Sequence, residues 1–155
     1  RMTEQQQFLF LCTANYYRSR FAEAYCNHLA EQLGLSVQAD SAGLEMSKWR
    51  DYNPGDLSPH TIEEMTRLGM EVPAQPRAPK QFEMSMLEGP VRLIALSEVE
   101  HRPMIQRLFP EALDRAEFWS VEDVEFELPE RALGRIRESV ERCLENERSD
   151  VEKTR

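Results

Sequence analysis

The sequence is poor in cysteine, in lysine and in long apolar runs, and each shortage argues against a class of protein. Its 155 residues hold 3 cysteines, Cys12, Cys26 and Cys143, none in a Cys-x-x-Cys pair or at zinc spacing from a histidine. That speaks against any metal site and leaves free thiols, at least one of which could be reactive. No apolar run is longer than Phe8 to Cys12, far short of the roughly 20 residues that cross a bilayer. No basic, apolar leader precedes it, so the expected location is the cytoplasm and no membrane partner is expected. Lysine accounts for only 3 of the 19 basic residues, against 28 acids and a net charge of −9. An acidic chain repels phosphate backbones, which disfavours nucleic acid as a partner.

Internal repeats, low-complexity tracts and Gly/Ser linkers are also missing, and the length suits one domain spanning residues 1–155. Residues 1–6, with Arg1 ahead of Met2 and a glutamine run, read as a frayed or vector-derived lead-in. Residues 149–155 read as a frayed tail. Nothing in the pattern signals an oligomeric state.

What the chain does have is arginine, and apolar segments of two periods. Phe8 to Leu11 is a short continuous run, as in a parallel strand buried on both faces. From Arg18 the period becomes helical, with Phe21, Tyr25, Cys26, Leu29 and Leu33 on one face and Gly34 as the stop. Leu35 to Ala39 reads as a second strand entering a turn at Asp40-Ser41-Ala42-Gly43, and residues 44–57 read as loop. Ser58-Pro59 supplies a cap and a first-turn proline for a helix ending at Gly69. A short helix is expected around Lys80 to Leu87 and a central strand over Val91 to Leu96. A helix follows over Glu98 to Phe109, its start made irregular by Pro103. Glu117 to Val121 reads as a last strand, and Leu133, Ile136, Val140 and Cys143 trace the inner face of a final helix. Strands alternating with helices predict an α/β domain with a parallel sheet covered on both faces. Ligands of such sheets sit beyond the carboxyl ends of the strands, where Cys12 falls.

Between the first strand and the first helix stands Cys12-Thr13-Ala14-Asn15-Tyr16-Tyr17-Arg18-Ser19. Successive N–H groups of such a loop can form an anion nest at the positive end of the following helix. Arg18 can grip two oxygens of a bound phosphate, and the same positive surround favours a nucleophilic thiolate at Cys12. Attack on phosphorus would give a cysteinyl-phosphate, and Ser19 can donate to the thiolate as it leaves. A cysteine with arginine six positions on is weak evidence by itself. The flanking strand and helix give it weight.

These residues, with Ala22-Glu23-Ala24 after them, resemble the signature of the low-molecular-weight protein tyrosine phosphatases, Cys-x-x-Asn-x-x-Arg-Ser before an Ala- and Glu-rich helix. The resemblance extends over about residues 8–146, through Asp40-Ser41-Ala42-Gly43, Asn53-Pro54-Gly55 and Leu93-Ile94-Ala95-Leu96. It implies a four-stranded parallel sheet with a phosphate-binding loop after strand 1, and hydrolysis of phosphate monoesters such as phosphotyrosine. No cofactor is implied. The substrate would be a phosphorylated protein or a small phosphoester. By resemblance Thr13, Ala14, Asn15, Tyr16, Tyr17 and Ser19 line the phosphate site, and Asn15 bonds Ser41 to hold the loop. Departures from the family are Ala14 for a common glycine, Tyr17 where some members carry a second cysteine, and the pair Tyr16-Tyr17, which could narrow the pocket. They suggest a divergent branch.

The family's general acid is an aspartate in an Asp-Pro loop after the last strand. Alignment puts Asp123 there with Val124 in place of proline, and Glu122 or Glu125 as substitutes. Trp49 and Tyr52 lie where relatives place aromatics beside the substrate ring, so Trp49 is assigned to the substrate rim. Phe118 and Trp119 are expected in the core, Phe126 could line the mouth, and His101 could approach the site, whereas His28 reads as structural and His60 as packed or solvent-facing. Two other readings remain open. An arsenate reductase of the same fold would need two relay cysteines that residues 74–110 lack, and a phosphate-binding pseudophosphatase would fit the lost Asp-Pro pair.

Overall fold

A computed structural model describes residues 6–153. Four parallel strands, β1 (Gln6–Cys12), β2 (Val37–Gly43), β3 (Val91–Ala95) and β4 (Ala116–Phe118), form one sheet in the order β2-β1-β3-β4. The helices are α1 (Arg18–Leu33), α2 (Met46–Trp49), α3 (Pro59–Arg67), α4 (Glu98–Leu108) and α5 (Pro129–Lys153), with 3-10 turns at Arg50–Tyr52, Met84–Leu87 and Pro110–Arg115.

Alternation along the central strands splits the core in two. Phe8, Phe10 and Ile94 pack under α1 and α5 with Phe21, Cys26, Ile136 and Val140. Leu9, Leu11, Leu93 and Ala95 point the other way, onto Ile105 of α4, Phe82 and Leu87. Both faces are therefore covered, which is why Phe8 to Cys12 of β1 reads as an unbroken apolar run. Fully burying a side chain such as Phe10 contributes about 1.5–3 kcal/mol.

Several boundaries differ from the sequence reading. The second strand is not Leu35 to Ala39: it begins at Val37 and runs through Gly43, in register with all of β1, so Asp40-Ser41-Ala42-Gly43 is strand, not turn. As an edge strand β2 tolerates polar residues, and the buried Ser41 has a partner in the loop next to it. The stretch 44–57 holds α2 and a 3-10 turn. The expected helix at Lys80 is only the turn Met84–Leu87. α4 passes through Pro103, which sits on its exposed side, and begins regularly at Glu98. β4 ends at Phe118, short of the expected Val121. β1 already begins at Gln6, and α5 continues to Lys153 past the expected start of the tail. The rest of the lead-in, residues 1–5, lies outside the described residues.

Candidate active site

Cys12 is the last residue of β1, and Arg18 is the first of α1. Between them the loop turns sharply at Asn15, whose φ is 52°. Asn is among the side chains that best tolerate this left-handed region. Its amide explains why it stays there. Nδ2 donates to Ser19 Oγ (2.9 Å) and Ser41 Oγ (2.8 Å), and Oδ1 accepts from Arg77 Nη1 (3.0 Å) and the Lys80 N–H (3.1 Å). Four partners fix the amide and fasten the loop to β2 and to the segment before β3. Arg77 also reaches Glu23 Oε1 (2.7 Å) and Ser41 Oγ (2.9 Å), and Ser41 donates to Glu23 (2.6 Å).

Under the loop, the Leu44 N–H donates to the Cys12 carbonyl (2.9 Å) and the Glu45 N–H to the Thr13 carbonyl (3.1 Å). The backbones approach so closely that a Cβ on Gly43 would stand 2.9 Å from the Thr13 oxygen. Only glycine fits.

Cys12 Sγ lies 2.9 Å from Ser19 Oγ. An amide nitrogen only donates, so Ser19 accepts from Asn15 and keeps its own proton for the sulfur. The first turn of α1 has no side-chain cap and no acid; Arg18, Ser19 and Arg20, all buried, stand there instead. Buried cations at a helix N-terminus oppose the macrodipole, a local conflict of the kind found at functional sites. Uncapped N–H groups and a guanidinium at one point are a chemistry that can hold an anion.

Arg18 is held from behind. Its Nη1 donates to Glu100 Oε1 (3.1 Å) and the Val121 carbonyl (3.0 Å), and Nη2 donates to Glu100 Oε2 (2.9 Å). Burial works against the Arg18 charge, but the hydrogen bond to Glu100, followed by the charges of Cys12, Glu100 and Asp123, outweighs it and raises the guanidinium pKa above its ordinary value. Burial alone would likewise raise the Glu100 carboxyl. Hydrogen bonds from His101 and Arg18, and the Arg18 charge, hold it far below the usual carboxylate range.

A cavity of about 690 Å³ contains Cys12, Thr13, Ala14, Arg18, Glu100 and Asp123. A second, of about 490 Å³, lies behind the loop between Arg20, Glu23, Met65 and Arg77 and contains no thiol. We therefore assign the site to the first.

The structure brings most of the expected residues together here. Asp123 follows β4, half-exposed, with Oδ2 3.8 Å from Arg18 Nη2. The Val124 N–H donates to Asp123 Oδ1 (2.9 Å), a bond that a proline at 124 could not make. Glu122 is tied to the Ser97 hydroxyl (3.0 and 3.1 Å), whereas Glu125 lines the cavity. Tyr16 lines it too and donates to the Pro54 carbonyl (2.6 Å). Tyr17 packs edge-on to His60 with its ring almost buried, and its hydroxyl has no hydrogen-bond partner among the described residues. Burial first, then the charge of Asp123, pushes that phenol above its ordinary value. Trp49, Tyr52, Phe126 and His60 stand on the cavity wall, and Trp49 and Tyr52 pack against each other. His60, expected either to pack or to face solvent, is exposed and stands at the site, while His28 lies beside Tyr25 in the other cavity. Phe118 and Trp119 pack on the two halves of the core, and Cys26 and Cys143 are buried in one of them.

Two residues at the site escaped the sequence reading. Glu100 was not assigned there, because Ser97-x-x-Glu100 is also the pattern of a helix start. Arg77 escaped because nothing near it in sequence points to the loop 62 residues away.

Residues 7–153 match the sequence profile of the low molecular weight phosphotyrosine protein phosphatases. The chain belongs to this family. No curated protein sequence matches it significantly. Among solved structures, YfkJ from Bacillus subtilis superposes with a TM-score of 0.79 at 21% identity, covering 96% of this chain and 98% of that one. Wzb from Vibrio vulnificus, in complex with benzylphosphonate, gives 0.75 at 16%, covering 92% and 99%. The YwlE arginine phosphatase from Geobacillus stearothermophilus gives 0.75 at 21%, covering 97% of each. At such identities the superpositions establish the shared fold. The family profile adds that the phosphatase chain is of a kind that acts on phosphorylated substrates. Among its described residues, no helix is long and apolar enough to cross a membrane.

Proposed function

We propose that this phosphatase hydrolyses phosphate monoesters, with phosphotyrosine in proteins as the main substrate class, through a cysteinyl-phosphate on Cys12. The observation that carries the reading is Cys12 Sγ at 2.9 Å from a Ser19 hydroxyl whose acceptor side is already taken by Asn15. Such a hydroxyl stabilises the sulfur as an anion, both before attack and when it leaves. In the first step the sulfur attacks phosphorus while Asp123 gives its proton to the departing oxygen. In the second, Asp123 takes a proton from water as that water displaces the thiolate. Arg18 and the loop N–H groups hold the three equatorial oxygens throughout.

The aromatic wall of Tyr16, Trp49, Tyr52 and Phe126 supports an aryl leaving group. The position of Asp123 beside Arg18 supports turnover over mere phosphate binding. Burial of Cys26 and Cys143 in the core on α1 and α5 disfavours the thiol relay of an arsenate reductase.

The test is turnover of para-nitrophenyl phosphate and of matched phosphotyrosine and phosphoarginine peptides. The reading expects Cys12→Ser to abolish turnover and keep phosphate binding, with phosphotyrosine preferred. Turnover by Cys12→Ser, or a wild type that binds phosphate without hydrolysing esters, would overturn it.

A further inference from the structure

Ser97-Glu98-Val99-Glu100 has the form of a capping box, in which serine bonds the third-residue N–H and the glutamate reaches back to the serine N–H. The structure builds only half of it. Ser97 Oγ accepts the Glu100 N–H at 3.2 Å, but the Ser97 N–H donates to His101 Nδ1 at 3.0 Å. The imidazole thus does the capping that the glutamate would have done, and the Glu100 side chain turns into the cavity.

That bond also sets the tautomer of His101. With Nδ1 accepting, Nε2 carries the proton, and it lies 3.1 Å from Glu100 Oε2 and 3.2 Å from Thr13 Oγ1. Burial lowers the His101 pKa and keeps the ring neutral. Thr13 Oγ1 donates to the same Oε2, as does Arg18 Nη2. Thr13 and Arg18 thus donate to one carboxylate oxygen, with the His101 Nε2–H beside it, and the Glu100 rotamer is fixed.

A permanent anion this near a phosphate site repels the substrate, and α4 does not need it, since Glu100 could complete the cap in place. The gain is in Arg18. Glu100 holds the Nη1–Nη2 end of the guanidinium, and no hydrogen bond among the described residues uses the Nε–H. The Nε–Nη2 edge is left for a second bidentate partner. A flexible arginine would have to be ordered on binding, whereas one clamped beforehand loses little freedom.

Resting on the phosphatase reading above, we propose that Glu100 is the positioning residue that aims Arg18 at the phosphoryl group, with His101 and Thr13 as its supports. The experiment compares Glu100→Gln with wild type in kcat and KM for para-nitrophenyl phosphate and in Ki for inorganic phosphate, with active sites counted by vanadate titration. Per active site, kcat should fall and phosphate Ki should rise, each by about tenfold to a hundredfold, the loss usual when the partner orienting a reactive group is removed. The exposed Glu98→Gln, which alters only a surface pair with Arg102, should match wild type. Should Glu100→Gln fail to fold, Thr13→Val decides: it should raise phosphate Ki, and Thr13→Ser should restore it. Unchanged constants per active site in Glu100→Gln, or in Thr13→Val if that variant decides, overturn the positioning role and leave the phosphatase reading standing. A wild type inert toward both ester and phosphate removes both.

Discussion

Ser19 Oγ sits 2.9 Å from Cys12 Sγ and 2.9 Å from Asn15 Nδ2, so one hydroxyl joins the nucleophile to the residue that shapes the loop. Ser19→Ala removes the donor to sulfur and one of the four partners of the Asn15 amide. A hydrogen bond to a charged group is worth about 1.5–3 kcal/mol, or about 10- to 150-fold in rate. The loss should fall on release of the thiolate. Stopped-flow traces of Ser19→Ala with para-nitrophenyl phosphate should therefore show a larger burst followed by a slower steady state.

Asn15→Ala strands more than one group. Ser19, Ser41, Arg77 and the Lys80 N–H all lose a partner, and alanine is less tolerant of a φ of 52°. We expect a cost of about 2–4 kcal/mol and a Tm lower by about 5–15 °C in calorimetry. A Tm within a degree or two of wild type would show that the four bonds do not hold the loop.

Asp123→Asn keeps the shape of the acid and removes its proton. Turnover of phenyl phosphate, a poor leaving group, should fall by about 10²–10⁴-fold, and that of para-nitrophenyl phosphate much less. Equal losses on both would take the proton from Asp123 and direct attention to Glu125, a cavity-wall acid with no ion pair among the described residues.

Glu100 makes the stability depend on acid. Its folded-state pKa lies below the ordinary value of 4.5, so the unfolded chain takes up its proton first as pH falls. The stabilisation is present in full above about pH 4.5 and is lost as the folded carboxylate is protonated. Urea unfolding of wild type and Glu100→Gln should show a gap that is constant from pH 7 to 5 and narrows below 4.5. A gap that widens toward low pH would contradict the Arg18 pairing.

The strand-loop-helix unit was legible in the sequence because two periods meet at a cysteine and an arginine, and because Phe8 to Cys12 of β1, buried on both faces, is apolar throughout. β2 was misplaced because its last residues are chosen for the loop: Ser41 to bond Asn15, Gly43 to let the Thr13 carbonyl in. Local propensity reads those residues as a turn. Glu100 was hidden for a related reason, since its cap pattern is complete in sequence and only the fold shows His101 taking its place. Val124 looked like a loss, yet its N–H now holds Asp123, a contact that needs coordinates to be seen.

The most direct test is acid quenching within the first turnovers of para-nitrophenyl phosphate, followed by peptide mass mapping. The account predicts one phosphoryl group on the peptide that carries Cys12, building up further in Ser19→Ala and absent, together with turnover, in Cys12→Ala. Continued hydrolysis by Cys12→Ala, or a phosphoryl group trapped on any other side chain, would contradict it.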